Sequence, residues 1–480
     1  MSAPSAPPSE TPPPKPDAPA HSRRDLLMAM AGVAATVVLV AFDSTIVSTT
    51  LPRVAAALNG MALYAWVGTG YLLATAVSIM IFGRLGDMFG RKPLMLVSVM
   101  IVALGSIACG LSQSMEQLIA FRTLQGVGGG MMIATAFAAP ADLFPDARER
   151  VRWMALVSAA FAMASGIGPV LGGAATQALG WRAAFFIAPI AAAAAFFLLA
   201  RYFPRIPPSS ANAGRRIDWV GAILLVVAVG APLAALELGF APGDRAHPVL
   251  AAGLAVAGVA AIAILLPHER RVTNPIFPLR VLAGAEPRLL NLAAVAVGAV
   301  MFILIFYSPL LLQHELHYTP SQAGLVLTPL VAAISLGSII NGRLFPKQTE
   351  PQRLMVFGAL LLALGSAMVL AIGTDTSVYW IVAAFTVNGV ALGFLLPNLT
   401  LFMQMLSERR DVGVASALVQ TTRAIGSAAG TALVGIAITH TSVMSGVRAG
   451  LIFCVVLALG AAIVAHRVKM KNLMTRRKAA

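Results

Sequence analysis

Two ionisable residues stand inside long apolar runs of the chain: Asp43, eight positions before Leu51, and Arg122, six positions after Glu116. A charge near mid-bilayer costs at least about 2.5 kcal/mol on insertion scales, so each implies a partner, a water-filled cavity or a function. At about 1.5 Å per residue, they lie roughly 12 Å and roughly 9 Å below the same membrane face. At that depth both can face one cavity from adjacent helices. A carboxylate there can bind a proton or a cation; desolvation favours its neutral form and a nearby guanidinium its ionised form. The competing reading is a structural ion pair that only orders two helices. Arg423 is a third intramembrane charge, with no acidic residue at similar depth in sequence. Gln125, Asn388 and Asn398, with Tyr71, Tyr307 and Phe394, are polar and aromatic candidates for the wall of a pocket that takes lipophilic molecules; interhelical hydrogen bonding or core packing is their alternative role.

Other chemistry finds little support. No spacing suits a phosphate loop or a nucleophile with its base, so an enzyme is disfavoured. His314-Glu315-Leu316-His317 is the nearest approach to a metal-ligand pattern, and it reads as a solvated outer loop. Cys109 and Cys454 both lie in apolar spans, which argues against a disulfide or a metal site. Neither a cofactor nor a metal is expected.

The elements that position these residues are membrane helices. Hydrophobic residues make up 58% of the 480 and charged residues 11%, with a mean hydropathy of +0.84. Soluble domains carry about 25% charged residues. Fourteen apolar runs of span length fit between residues 26 and 466. The net charge of +15 is not a nucleic-acid signature, because of where the cations fall. With the amino terminus in the cytoplasm, 28 of the 34 Lys and Arg residues lie on the cytoplasmic side and only Arg53, Arg182, Arg245 and Arg448 on the other. That asymmetry sets orientation. Both termini are then cytoplasmic, which an even number of spans requires. Residues 1–25 form a Pro-rich tail without hydrophobic periodicity, and 468–480 a short basic tail.

The segment Gly83–Lys92, GRLGDMFGRK, carries four charges between two apolar runs, so it reads as a water-facing loop whose three glycines allow tight turns. Gly83-Arg84-Leu85 recurs as Gly342-Arg343-Leu344, an offset of 259. That offset carries a first six-helix block, 26–203, onto a second at 288–467, leaving 204–287 as a linker with two inserted helices. Gly168 and Gly172, four apart, are matched near the same offset by Gly426 and Gly430. Such small residues let helix backbones approach closely, and Pro169 permits a bend.

The loop closely resembles the one between helices 2 and 3 of major facilitator superfamily transporters, G-x-L-a-D-r-x-G-r-k. Gly83, Leu85, Asp87, Gly90, Arg91 and Lys92 match, and Met88 replaces the usual basic residue. Asp43-Ser44-Thr45-Ile46-Val47 with Leu51-Pro52 is similar to the family's helix 1 segment, with Ser48 and Thr50 departing from the usual Asn and Ala. Arg122, Gln125, Gly126, Gly128 and Gly129 resemble its helix 4 segment. Gly168-Pro169, Gly172 and Gly173 resemble the antiporter signature of helix 5, with Ala164 at its first small position. The likeness spans about 26–467, and the inserted pair points to the fourteen-helix drug:proton antiporter branch.

This resemblance implies an all-α membrane fold of two six-helix halves in parallel repeat plus the inserted pair. It implies proton-coupled efflux of lipophilic, including cationic, compounds from the cytoplasm by alternating access, in the plasma membrane and as a monomer. A dedicated metabolite or lipid exporter, or a proton symporter, is the alternative. Asp43 and Arg122 would couple protons. The loop would act as a conformational gate, Asp87 meeting the start of helix 13 near Asp411–Gly413 when the cytoplasmic side is closed.

Overall fold

Each apolar run becomes a helix, and at several of them a local polar group fixes the start. The computed structural model describes residues 22–144, 146–206, 218–239, 247–272, 279–407 and 412–469. Among them are fifteen α-helices: α1 (Arg23–Ala57), α2 (Tyr64–Phe89), α3 (Arg91–Leu111), α4 (Met115–Ala136), α5 (Ala139–Leu143), α6 (Ala147–Leu179), α7 (Trp181–Tyr202), α8 (Trp219–Gly239), α9 (Pro248–Arg271), α10 (Ala285–Glu315), α11 (Pro320–Leu344), α12 (Gln352–Leu370), α13 (Val378–Leu406), α14 (Val412–His440) and α15 (Val443–Arg467). All but the five-residue α5 answer to one of the fourteen expected runs. No strand occurs among the described residues. Eleven of the described helices are long and apolar enough to cross a membrane, and Trp219–Ala235 is a shorter apolar helix. The protein is therefore an all-helical, multi-pass membrane protein.

Side-chain caps take up free N–H groups where helices begin. Ser22, Ser114, Asp146 and Ser442 accept from backbone amides three residues on, at α1, α4, α6 and α15. At α11, Thr319 and Gln322 cap each other's backbone, and Pro320 follows at the first turn. Within the membrane, hydroxyls turn inward onto their own helix. Thr45, Ser48 and Thr50 of α1 donate to carbonyls three or four residues earlier, so this polar stretch carries no unpaired hydroxyl donor into hydrocarbon.

The segment 83–92 is not the open loop its composition suggested. Helix α2 runs on through Gly83-Arg84-Leu85-Gly86-Asp87 to Phe89, and α3 starts at Arg91. The whole connection is Gly90, at φ 83° and ψ 151°, in the half of backbone space that side chains disfavour. Leu85, Met88 and Phe89 propagate a helix well enough that nothing before Gly90 stops it. Gly83 and Gly86 are helical glycines, so of the three in this motif only Gly90 makes a turn.

Helix pairing repeats along the chain. Among α1–α7, the pairs are α2 with α4, α1 with α6, α3 with α4, α1 with α7 and α3 with α7. Among α10–α15, they are α11 with α13, α10 with α14, α12 with α13, α10 with α15 and α12 with α15. The second set is the first with each helix replaced by its counterpart. Gly168 and Gly172 lie against α1, at Thr45 and Ile46; Gly426 and Gly430 lie against α10, at Val295 and Ala299. Helices α8 and α9 pack chiefly on each other.

The two sets meet along α2–α14 and α6–α11. Tyr64 donates to the Phe306 carbonyl at 3.0 Å, Thr69 and Thr431 share a bond of 3.0 Å, and Gln313 donates to the Thr49 carbonyl at 3.1 Å. Thr421 and the Ala76 carbonyl, 3.4 Å apart near mid-height, mark the last such bond along α2. Among the described residues, the hydrogen bonds across this seam run from that level to the end bearing the α1–α2 and α10–α11 connections. The seam is closed at the end opposite the termini.

Candidate functional site

Asp43 sits mid-way along α1 and Arg122 two turns into α4, on helices that touch. Arg122 donates from one terminal nitrogen to Asp43 Oδ2 at 2.9 Å and to Gln125 Oε1 at 2.9 Å. Gln125, one turn along α4, donates its amide to Asp43 Oδ1 at 3.0 Å. Both carboxylate oxygens are thus held, from a single face of α4. Cys109 of α3 donates to Gln125 Oε1 at 3.3 Å, and the Tyr71 ring of α2 lies 4.2 Å from the guanidinium carbon. The cation over the ring face is a favourable electrostatic contact. Asp43 is 1% exposed; Arg122 and Gln125 are fully buried.

This arrangement is closed but unsaturated. The Nε and second terminal nitrogen of Arg122 are buried without a hydrogen-bond partner. A buried donor left unpaired costs about 1–3 kcal/mol. Breaking a buried ion pair by removing one partner costs about 3–5 kcal/mol, because the survivor is left as an uncompensated charge. A proton on Asp43 would discharge the carboxylate and leave the guanidinium as a buried cation without its counter-ion, so protonation can proceed only together with the admission of water or another partner for Arg122. What the arrangement can do is exchange a proton for an ion pair, in a place where water must be admitted first.

The structure therefore brings together Asp43, Arg122, Gln125 and Tyr71, the latter two singled out in the sequence for a pocket wall. It places the remaining pocket candidates elsewhere. Asn388 accepts from Ser366 of α12 at 3.3 Å, and Asn398 exchanges amide bonds of 2.8 and 3.1 Å with Asn341 of α11. Phe394 meets Phe357 of α12 edge to face at 5.2 Å. Tyr307 donates to the Thr431 carbonyl at 2.7 Å and packs on Tyr64, 5.7 Å between ring centres, at the seam. Arg423 is partly buried on α14, with no side-chain hydrogen bond or ion pair among the described residues.

At the end bearing the termini, Arg91 pairs with Asp142 of α5, and Lys92 donates to the Ala200 and Phe203 carbonyls at 2.9 and 2.6 Å. Lys92 thereby caps the carboxyl end of α7, where unpaired carbonyls and the helix dipole favour a cation. Asp411 and the side chains of Asp87 and Val412, on which the expected contact rests, lie outside the described structure. Of the helix 5 motif, Pro169 and Gly173 face α11 across the seam: the Pro169 carbonyl meets Gly324, and Gly173 meets the Pro320 carbonyl.

Asp142, Cys109 and Asn341 were not anticipated. Asn341 directly precedes the repeated Gly342-Arg343-Leu344, which was a usable signal; Asp142 and Cys109 stand in no recognisable spacing. The expected reading of His314–His317 as solvated residues is refined: Glu315 closes α10 and pairs with Arg448 at 2.7 Å. No group of three His, Cys, Asp or Glu side chains that could hold a metal ion exists among the described residues.

A family model described as Major Facilitator Superfamily matches residues 33–431 and 290–471. Over 410 residues the chain is 31% identical to Multidrug resistance protein 3 of Bacillus subtilis (strain 168), covering 84% of this chain and 78% of that protein. It is 31% identical over 433 residues to the Methylenomycin A resistance protein of Streptomyces coelicolor, covering 89% of each. Among solved structures, the POT family transporter PepTSo superposes with a TM-score of 0.68 at 16% identity, over 94% of this chain and 98% of that one. That likeness speaks for the fold alone. With a family model spanning most of its length and relatives aligned almost end to end, the chain belongs to the major facilitator superfamily.

Proposed function

We propose that this protein is a proton-coupled exporter of lipophilic drugs or toxic compounds, working by alternating access. The observation that carries this reading is the enclosed Asp43–Arg122–Gln125 cluster: a carboxylate with both oxygens held, beside a cation with donors to spare. In the cycle, a proton reaching Asp43 from outside releases the ion pair and favours substrate departure, and loss of that proton inward resets the carrier. The repeated pairing supports two six-helix halves, α1–α7 and α10–α15, with α8 and α9 as an inserted pair. Fourteen spans follow if α4, α6 and α8 also cross; polar Arg122, Gln125 and the glycines lower the apolar character of α4 without preventing a buried span. With both termini cytoplasmic in the plasma membrane, the seam is closed on the outside. The names of the relatives support export, and their fold supports a monomer that acts alone on small molecules.

Energised everted vesicles, screened with dyes, quaternary ammonium compounds and metabolites, test the reading. Accumulation of several lipophilic compounds, abolished by a protonophore, is expected. Accumulation of one metabolite only would identify a dedicated exporter instead.

Arg122→Ala is expected to stop proton-driven accumulation or change its pH profile, while the protein still reaches the membrane. Normal rate with an unchanged pH profile would show that Arg122 and Asp43 are uncoupled. Loss of expression would assign Arg122 a structural role.

Asp87→Asn addresses the gate. Orientation needs only the cations of this segment, and a carboxylate contributes little to it. An anion at the amino terminus of α14 would gain about 0.3–1 kcal/mol from the helix dipole, and only when the cytoplasmic side is closed. The Asn variant should turn over more slowly and leave the cavity more accessible from the cytoplasm, by cysteine labelling in a background lacking Cys109 and Cys454. Equal labelling and equal transport would make Asp87 a solvated helix-end residue.

A further inference from the structure

Arg423 is an intramembrane cation that the proton cycle does not use. It lies eleven residues into α14, roughly 17 Å from its start at 1.5 Å per residue. Among the described residues, the carboxylates of α10–α15 and their connections are Glu286, Glu315, Glu350 and Asp375, all at or beyond helix ends. The nearest intramembrane carboxylate in function, Asp43, is fully engaged by Arg122 and Gln125. No charged side chain among the described residues acts on Arg423.

A second unpaired polar group lies one turn away. The stem of Arg423 leaves α14 against Gly298 of α10, where a side-chain carbon would sit 2.9 Å from Arg423 Cγ. One turn back, Gln420 is partly buried, and its side-chain oxygen is buried with no hydrogen-bond partner. Leu433 of α14 is 40% exposed, whereas Ile425 and Ala429 are partly buried, Ala429 on the cluster of Tyr71, Leu72 and Leu233. At about 100° per residue, Gln420 and Arg423 lie about 60° apart, on one side of the helix. Thr421, between them in the chain, makes the seam bond nearest the end bearing the termini among the described residues. Arg423 and Gln420 therefore stand beside the seam between the two halves, at the level of that bond. A buried amide oxygen without a partner costs free energy, and a lone intramembrane cation calls for water or an anion; a ligand carrying the complementary groups satisfies both.

The geometry points to amphiphiles bearing one oxyanion, such as a carboxylate, as the preferred cargo: the oxyanion pairs with Arg423, and a hydroxyl or amide N–H of the same molecule donates to Gln420. This rests on the export reading above and narrows its substrate class, away from lipophilic cations. A planar guanidinium binds a carboxylate through two parallel bonds, which a cation or an uncharged amide cannot reproduce.

The test uses the full-length protein in nanodiscs and three probes: 1-pyrenebutyrate, its uncharged amide, and tetraphenylphosphonium. The wild type should bind the carboxylate at least tenfold more tightly than the amide. Arg423→Gln should remove that ratio while leaving amide affinity unchanged, and Arg423→Lys, which keeps the charge but not the paired bonds, should lower it partway. If the Gln variant does not fold, Arg423→Lys and Gln420→Leu decide by the same ratio: the first lowers carboxylate preference, and the second, which removes the acceptor for the amide N–H that pyrenebutyrate lacks, raises it. Equal or tighter binding of the amide or of tetraphenylphosphonium to the wild type overturns the inference. So does a ratio insensitive to these substitutions. Everted vesicles separate the two readings: accumulation of tetraphenylphosphonium without pyrenebutyrate leaves export standing and ends the oxyanion proposal.

Discussion

Asp43→Asn reduces uphill export to the rate of passive leak, while exchange of substrate down its own gradient continues. Asparagine keeps the size of the side chain and one acceptor oxygen for Arg122, so the link between α1 and α4 is weakened and not emptied. It cannot take up and release a proton. The expected phenotype is a folded protein, present in the membrane in normal amount, that binds substrate and no longer responds to a pH gradient. Transport of a fluorescent substrate in everted vesicles, with and without the gradient, measures it. Normal uphill export by a well-expressed Asn variant would leave Asp43 as a structural charge.

Gly173→Val is the second change with a large expected effect. A Cβ on Gly173 would lie 2.2 Å from the Pro320 carbonyl oxygen and 2.9 Å from the Ser321 Cα across the seam. Both obstacles are backbone, so neither can swing aside as a flexible side chain would. The added bulk forces α6 and α11 apart at the end opposite the termini, and the state with that end closed is lost. Transport should fall at least tenfold, equivalent to about 1.4 kcal/mol at the closing step. A cysteine placed on α11 below this level should become reactive from that end. Gly342→Ala is the matched control, since a Cβ there meets nothing within 4 Å, and it should transport normally. Wild-type turnover of Gly173→Val would mean that the closed seam is not a working state.

Much of this was legible in the chain. Apolar runs interrupted by cations mark where helices end because hydrocarbon admits neither exposed peptide groups nor unpaired charge. The same constraint made Asp43 and Arg122 conspicuous, and equal depth on neighbouring helices was enough to place them together. Less accessible were the partners with nothing unusual about their spacing. Gln125 and Tyr71 were marked for a pocket wall, whereas the structure holds both against Arg122. Asn388 and Asn398 look in sequence like any membrane amides; only packing reveals that Ser366 and Asn341 answer them. The segment 83–92 misled for a different reason. Charge and glycine content report exposure to water, not backbone conformation, and an exposed helix end satisfies both. The role of the helix 5 motif also divides in a way no spacing shows: Gly168 and Gly172 accommodate α1 within one half, while Pro169 and Gly173 face the other.

The most direct test is simultaneous measurement of proton and substrate flux by the purified protein in liposomes. With the substrate at equal concentration on both sides and a pH gradient imposed, substrate should flow uphill toward the acidic side while protons move the opposite way. The two fluxes should keep a fixed ratio as the gradient is varied, and both should vanish together in Asp43→Asn. Substrate movement that ignores the gradient, or proton flux unaltered by substrate, would contradict proton-coupled export by this protein.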